Sequence, residues 1–259
     1  MSATAAEASI DAFHRGRFFL AQPLHGGHRA GMDAMMLAAA VPSDFRGLAA
    51  DLGSGAGGAG LAVLARCLQA RALLVEREPA MAAFARLTLA LEANADLAAR
   101  ASLLVADVSL AGRARMEAGL ADRSVDLAIM NPPFNEARDR QTPDGLRKAA
   151  HVMDEGLLER WIRTAAAIVK PSGTIALIAR PQSLSEILDA MAGRFGALDV
   201  KPIHPRPDAD AIRVVVRGLR GSRRAMRLAA PLVLHEADGN RFTAEADAIC
   251  NGLASLFRD

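Results

Sequence analysis

The sequence predicts an α/β protein built on a doubly wound, mainly parallel sheet, and three observations carry that expectation. Short apolar runs of strand length alternate with helical stretches from Leu48 to about Met191, the pattern of a parallel sheet with crossover helices. A glycine-rich turn, Gly53-Ser54-Gly55-Ala56-Gly57-Gly58, follows the first of these runs. Late in the chain, the turn-prone Arg206-Pro207-Asp208-Ala209-Asp210 joins two apolar runs by a link short enough to make them an antiparallel pair.

Residues 1 to 12 are rich in Ala and Ser and are expected to fray. Phe18-Phe19-Leu20 through Pro23 reads as a short strand, and Ala34 to Ala40 as a helix that Asp33 begins and Pro42 ends. Leu48 to Leu52 is strand one of the alternating region; the glycine turn follows, with a helix from Leu61 to Leu68. Leu73 to Glu76 is strand two, and Pro79 suits the first turn of a helix running to about Ala93. Ser102 to Ala106 is strand three, ending at Asp107; Val125 to Met130 is strand four, ending at Asn131. A helix from Asp154 to Val169 carries Trp161 at core-like spacing, and Pro171-Ser172-Gly173 turns the chain into strand five, Thr174 to Ala179. After a helix from Pro181 to Met191 come the antiparallel pair, Leu198 to Ile203 and Ile212 to Val216. A short strand at Leu232 to Leu234 and a helix from Thr243 to about Phe257 close the chain. Residues 1–259 are expected to form one domain, with a short N-terminal extension of about 45 residues.

Composition narrows the classes. With 51 % apolar and 23 % charged residues, a soluble globular protein is expected, and no apolar run approaches the roughly 20 residues of a membrane span. Cys67 and Cys250 lie far apart in apolar surroundings, which suits two reduced thiols in a cytoplasmic protein. His25 and His28 are the only close histidine pair and have no neighbouring cysteines, so no metal site is expected. No basic segment followed by an apolar core opens the chain, so no signal peptide is read. A net charge of +2 does not by itself argue for nucleic acid. The run Arg213, Arg217, Arg220, Arg223, Arg224, Arg227 has no acid within it, and reads either as a patch meeting phosphates or as a solvated face.

Chemistry concentrates at strand ends, where this fold binds ligands. Gly53, Gly55 and Gly58 satisfy G-x-G-x-x-G, bringing backbone N–H groups and a helix N-terminus toward a ligand. Glu76 stands where a carboxylate binds ribose hydroxyls, in nicotinamide dinucleotide proteins as in others. Three details favour S-adenosylmethionine. Asp51, just before the glycine turn, can hold the cofactor's ammonium; Asp107 can accept from the adenine amino group; and strand four delivers Asn131-Pro132-Pro133-Phe134. In that tetrapeptide the Asn131 amide oxygen and the Pro132 carbonyl are acceptors for the two hydrogens of an amino group. Pro133 fixes the turn, and Phe134 offers a flat face on which a planar group stacks, worth roughly 1–3 kcal/mol for a base.

Asp51-Leu52-Gly53-Ser54-Gly55-Ala56-Gly57 together with Asn131-Pro132-Pro133-Phe134 resembles the class I S-adenosylmethionine-dependent methyltransferases acting on amino groups. Within them the chain is similar to the bacterial tRNA(Val) adenine-N6 methyltransferases and their small-methyltransferase-domain relatives. Gly31 to Leu37 is similar to that group's G-x-D-x-x-L-L segment, and Arg147 to His151 and Pro231 to Ala246 are similar as well. The resemblance implies a seven-stranded sheet whose last pair is antiparallel. It also implies cofactor contacts from Asp33, Asp51, Gly53, Ser54, Gly55, Glu76, Asp107 and Asn131, and methyl transfer to adenine N6 of a tRNA. Arg147, Lys148, His151, Arg223 and Arg224 are candidates for holding the RNA backbone. The group usually has tyrosine where Phe134 stands, phenylalanine being found in relatives that methylate guanine in ribosomal RNA, and Asn135 to Thr142 matches nothing assignable. Guanine N2 of ribosomal RNA therefore stays open as an acceptor, as does the glutamine amide of a protein, although enzymes of the latter kind usually carry an N-terminal helical domain. From other classes, a nicotinamide-dependent oxidoreductase and a non-catalytic RNA-binding module also stay open.

Overall fold

A computed structural model describes residues 8–24, 29–133 and 156–257. The chain opens with β1 (Ala8–Phe13) and β2 (Phe18–Pro23), an antiparallel hairpin with Ala8 opposite Pro23 and Phe13 opposite Phe18. The expected fraying of residues 1 to 12 is thus corrected for Ala8 onward. Paired main-chain groups and Asp11, which accepts from Gln22 Nε2 at 2.7 Å, hold a segment too short and polar to show strand periodicity.

There follow α1 (Met32–Ala39), β3 (Gly47–Leu52), α2 (Gly58–Arg66), β4 (Ala70–Glu76), α3 (Pro79–Ala90), α4 (Ala95–Ala98) and β5 (Ala101–Val105). Next come α5 (Gly112–Glu117), β6 (Val125–Met130), α6 (Leu157–Ile168), β7 (Val169–Ala179) and α7 (Leu184–Met191). The chain continues through β8 (Phe195–His204), β9 (Arg213–Arg220), β10 (Arg227–Leu228), β11 (Leu232–Val233) and α8 (Ala244–Cys250). The main sheet runs β10-β8-β9-β7-β6-β3-β4-β5, with β11 also on β8. Among the described residues its seven long strands include one antiparallel member, β9, between β7 and β8; two-residue strands β10 and β11 extend the β8 edge.

Several boundaries differ from the sequence reading for identifiable reasons. Helix α2 starts at Gly58, because Gly57 adopts a left-handed φ of 94° and ends the turn there. Strand β7 runs through the expected Pro171-Ser172-Gly173 turn as an irregularity, with Ser172 at φ 63° and a register shift against β6. Helix α8 stops at Cys250 well short of Phe257, ended by Asn251 and a left-handed Gly252 at φ 72°.

One core layer joins α1, α2 and α8 to one face of the sheet through Leu37, Leu64, Ile129 and Ile249. The other joins α6 and α7 to the opposite face through Ile162, Ile168, Ile187 and Met130. Strands β3, β4 and β6 are apolar on both sides for this reason. Among the described residues no helix is long and apolar enough to cross a membrane, and no three His, Cys, Asp or Glu side chains converge on a metal position.

Candidate active site

The cleft forms where β3 gives way to α2. The amides of Gly53 and Ser54 both donate to the Val75 carbonyl at 2.9 Å, fastening the turn to β4, and Gly57 N–H donates to Ser54 O at 2.8 Å. Gly53 takes φ 75°, a left-handed conformation that glycine adopts without strain. Its Cα faces the ring edge of Trp161, so that a Cβ there would lie 2.9 Å from Cζ3 and closer still to Cη2. Gly58 is equally confined: a Cβ would come within 2.6 Å of the Ala30 methyl. The glycine turn is therefore wedged between α6 below and the chain entering α1 beside it.

Residues 29–34 supply the second wall. Ala30 N–H donates to Gln22 Oε1 at 2.6 Å, and Arg29 reaches Asp11 Oδ2 at 2.6 Å and Pro23 O at 2.6 Å. The β1–β2 hairpin thus anchors this wall. Asp33, in the first turn of α1, pairs with Arg213 of β9 at 2.9 Å. The cleft encloses about 280 Å³, and Asp33, Asp51, Gly53, Ser54, Gly55 and Asn131 all line it.

Asp51 is 3 % exposed and accepts from Gly60 N–H at 2.8 Å. It has no cationic partner among the described residues. Burial pushes its carboxyl up to about 7, against the Gly60 hydrogen bond that lowers it and with the nearby Glu76 charge adding to the rise. Glu76, also buried, accepts from Gly55 N–H at 2.9 Å and Glu78 N–H at 2.8 Å. It fixes the glycine turn from beneath and does not itself line the cleft. Asp107 accepts from Ser109 N–H and Oγ–H, both at 2.7 Å. Partial burial raises its carboxyl, but those bonds and the nearby Arg77 and Arg160 outweigh it and hold it below the usual range.

Two polar atoms in the cleft are buried without a hydrogen-bond partner among the described residues, Ser54 Oγ and Asn131 Oδ1. An orphaned buried acceptor costs roughly 1–3 kcal/mol, and a ligand donor would offset that cost. The donor set fits S-adenosylmethionine: a buried carboxylate for a cation, a glycine turn open to close approach, and unpaired oxygens at the floor.

The structure brings together Asp33, Asp51, Gly53, Ser54, Gly55 and Asn131, with Pro132 buried and Pro133 exposed beside them. Phe134, Arg147, Lys148 and His151 lie outside the described residues. Arg223 and Arg224 are not brought to the cleft. Strand β9 is antiparallel, placing Arg213 opposite Ile203 and Arg220 opposite Phe195; the Arg224 carbonyl accepts from Ala197 N–H at 2.9 Å, at the start of β8. They stand at the opposite end of the sheet from Asn131. The run from 213 to 227 is also largely engaged: Arg217 and Arg227 share Asp199 at 2.9 and 2.7 Å. Sequence reasoning missed Arg29 and Ala30 as cleft residues, and the ion pair that Arg213 makes with the cleft residue Asp33. Arg29 and Ala30 adjoin the Gly31 to Leu37 segment that it singled out; Arg213 meets Asp33 across 180 positions, and nothing local signals that.

Residues 29–202 match the methyltransferase small domain family. The tRNA1(Val) (adenine(37)-N6)-methyltransferase of Porphyromonas gingivalis strain W83 is 30% identical over 163 residues, 61% of each chain. The match thus spans less than two thirds of that relative's length. The crystal structure of a predicted O-methyltransferase from Agrobacterium tumefaciens is 44% identical, with a TM-score of 0.77, covering 88% of this chain and 99% of that one. The 16S rRNA N2 G1207 methyltransferase of T. thermophilus, solved with AdoMet and guanosine, shares the fold at 18% identity and TM-score 0.54, covering 82% of this chain and 50% of that one.

Proposed function

We propose that this chain, which belongs to the methyltransferase small domain family, is an S-adenosylmethionine-dependent methyltransferase whose acceptor is an exocyclic amino group, adenine N6 in a tRNA. Bound S-adenosylmethionine supplies an electrophilic methyl on a sulfonium. Asp51 would meet the cofactor's ammonium, the Gly53–Gly55 turn would admit its backbone-facing atoms, and Ser54 Oγ would find a donor or acceptor there. Asp33, held by Arg213, would border the same end. Glu76 would act on the ribose end through the Gly55 turn that it fixes, and Asp107 would accept from the adenine amino group.

The observation that carries the acceptor is the buried, unpaired Asn131 Oδ1 at the cleft floor. With the Pro132 carbonyl it makes two adjacent acceptors, which suit a group with two N–H donors better than a hydroxyl with one. Holding both hydrogens steers the nitrogen lone pair out of plane, toward an in-line attack. Positioning of this kind supplies roughly 7–11 kcal/mol in favourable cases. No strong base is needed before attack, since the methylated nitrogen is acidic enough to lose its proton afterwards. The 30% identity to a tRNA adenine-N6 enzyme supports adenine, and a loop adenine costs least to unstack.

The test is transfer of labelled methyl to separated pools of unmodified tRNA, ribosomal RNA and protein, with Asn131→Ala beside the wild type. Label in tRNA, recovered as N6-methyladenine and reduced at least a hundredfold in the variant while cofactor affinity holds, is expected. Label confined to another pool would replace the acceptor, and undiminished turnover by the variant would remove Asn131 from the reaction.

A further inference from the structure

Several exposed arginines have no side-chain hydrogen bond or salt bridge among the described residues, Arg17, Arg86 and Arg241 at scattered positions among them. The arginines around the cleft are engaged, as Arg29 is by Asp11 and Arg213 by Asp33. Arg46, Arg71, Arg123, Arg223 and Arg224 are exposed, and their side chains have no hydrogen bond or salt bridge among the described residues. All five fall at one edge of the sheet. Arg46 immediately precedes β3, Arg71 is the second residue of β4, Arg123 stands two residues before β6, and Arg223 and Arg224 lie against the start of β8.

The strand order sets them in a line. From β8 through β9, β7, β6 and β3 to β4 there are five strand spacings, roughly 24 Å at about 4.8 Å each. Lys170, at the start of β7, stands in the same row. Acids on this edge do little to neutralise it. Asp126 is held by Lys170 at 2.6 Å and by Leu48 N–H at 2.9 Å, with Arg71 near enough to help lower its carboxyl. Asp122 is taken by the buried Arg115. Asp44 is the remaining acid in the loop that leads to β3.

We propose that this row of unpaired arginines, at the end of the sheet opposite the cleft, is a second contact for the RNA and grips phosphates of a helical limb distant from the methylated base. The proposal rests on the reading of the cleft as acting on RNA. Arg123, Arg46 and Arg71 stand one strand apart and Arg223 and Arg224 three strands beyond Arg123, a line that follows a run of backbone phosphates, and Arg suits phosphate because its planar fork donates two hydrogen bonds at once. The ten residues of β8 separate the two ends by roughly 25–30 Å at about 3.3 Å per residue, so a short loop oligonucleotide cannot reach both and a full-length folded RNA can. The row reads no sequence; it adds affinity and orientation.

The experiment uses the full chain with Arg46, Arg71, Arg123, Arg223 and Arg224 changed together to Glu, and in a milder variant to Gln. Melting temperature and cofactor affinity are measured beside the wild type to verify folding. Affinity for unmodified full-length tRNA and for its short loop oligonucleotide is measured directly across a salt series, so that no turnover is required. Expected is a loss of at least tenfold for full-length tRNA with unchanged loop-oligonucleotide affinity, and a salt slope shallower by about 0.7–0.9 for each phosphate that is no longer neutralised. Equal losses for both RNAs, or none for either, would overturn the proposal. So would retained RNA affinity with lost binding to vesicles containing anionic lipid, which would assign the row to a membrane surface. Failure of wild-type methyl transfer to every RNA would instead strike the reading of the cleft, a separate measurement from these affinities.

Discussion

Asp51 carries a buried carboxyl that wants its proton in the ligand-free protein and would surrender it to a cationic ligand. Its folded value of about 7 exceeds the ordinary carboxylate range, so its contribution to stability is complete below that range and is lost as pH climbs toward 7. Thermal unfolding of the ligand-free protein should therefore show stability draining between about pH 4 and 7. The loss should be on the order of 2–4 kcal/mol, at roughly 1.4 kcal/mol per pH unit. Asp51→Asn keeps an acceptor for Gly60 N–H and should flatten this dependence while weakening cofactor binding; an unflattened profile would place the titration elsewhere. At Gly53, Ala would meet Trp161 and a left-handed backbone together. Overpacking costs roughly 1–3 kcal/mol and the backbone about 1 more, so Gly53→Ala should lose about 2–4 kcal/mol in denaturant unfolding. The same change in a Trp161→Phe background should cost measurably less, because the benzo ring that blocks the Cβ is gone. Additive losses would show that the two residues do not collide. Asp51 and Gly53 were legible in the sequence because strand, glycine turn and helix are adjacent there. The Trp161 packing was not, since its spacing in α6 announces only an inward face and not which loop that face meets.

Elements divide in the same way. The alternation from β3 to α7 could be read because each strand is a dense apolar run bounded by Gly, Pro or an acid, and each helix needs an apolar stripe against the sheet. Strand β1 could not, since Ile10 is 53 % exposed and the segment is held by its partner's main chain rather than by a buried face. Helix α5 has six residues, three of them Arg115, Arg113 and Glu117, and shows no stripe. Strand β10 is two residues long and exists because β8 offers an open edge, whereas β11 on the same strand was legible as the apolar run Leu232 to Leu234. Helix α8 illustrates how such late elements are held. Thr243 accepts from Ala246 N–H at 3.1 Å while its hydroxyl donates to Val233 O at 2.8 Å, joining β11 to the helix cap. Thr243→Ala should cost about 1–2 kcal/mol, typical of a lost N-cap, and Thr243→Ser should recover most of it in equilibrium unfolding. An alanine variant as stable as wild type would mean that burial of Ile249 and Leu256 alone seats this segment.

At the scale of the whole molecule, the sheet has two ends with different electrostatic characters. The cleft end gathers acids, Asp33, Asp51, Glu76 and Asp107, suited to a cationic cofactor. The other end carries the arginine row. The linear sequence conceals this polarity, because an antiparallel strand such as β9 carries neighbours in the chain to opposite ends: Arg213 pairs with Asp33 of the cleft and Arg223 departs from it. A run of arginines in sequence thus predicts a patch only where the backbone does not cross the sheet in between. Composition is also a property of the whole chain, and it gives the cleft an unusual transparency. The protein has one tryptophan and no tyrosine, and that tryptophan lies edge-on against the first glycine of the turn. Ultraviolet emission of the native protein therefore comes almost wholly from a single indole seated against the glycine turn of the cleft. Ligand entry and opening of the turn should change that emission on unlabelled protein excited at the red edge of the indole band, with no tyrosine or second tryptophan to subtract.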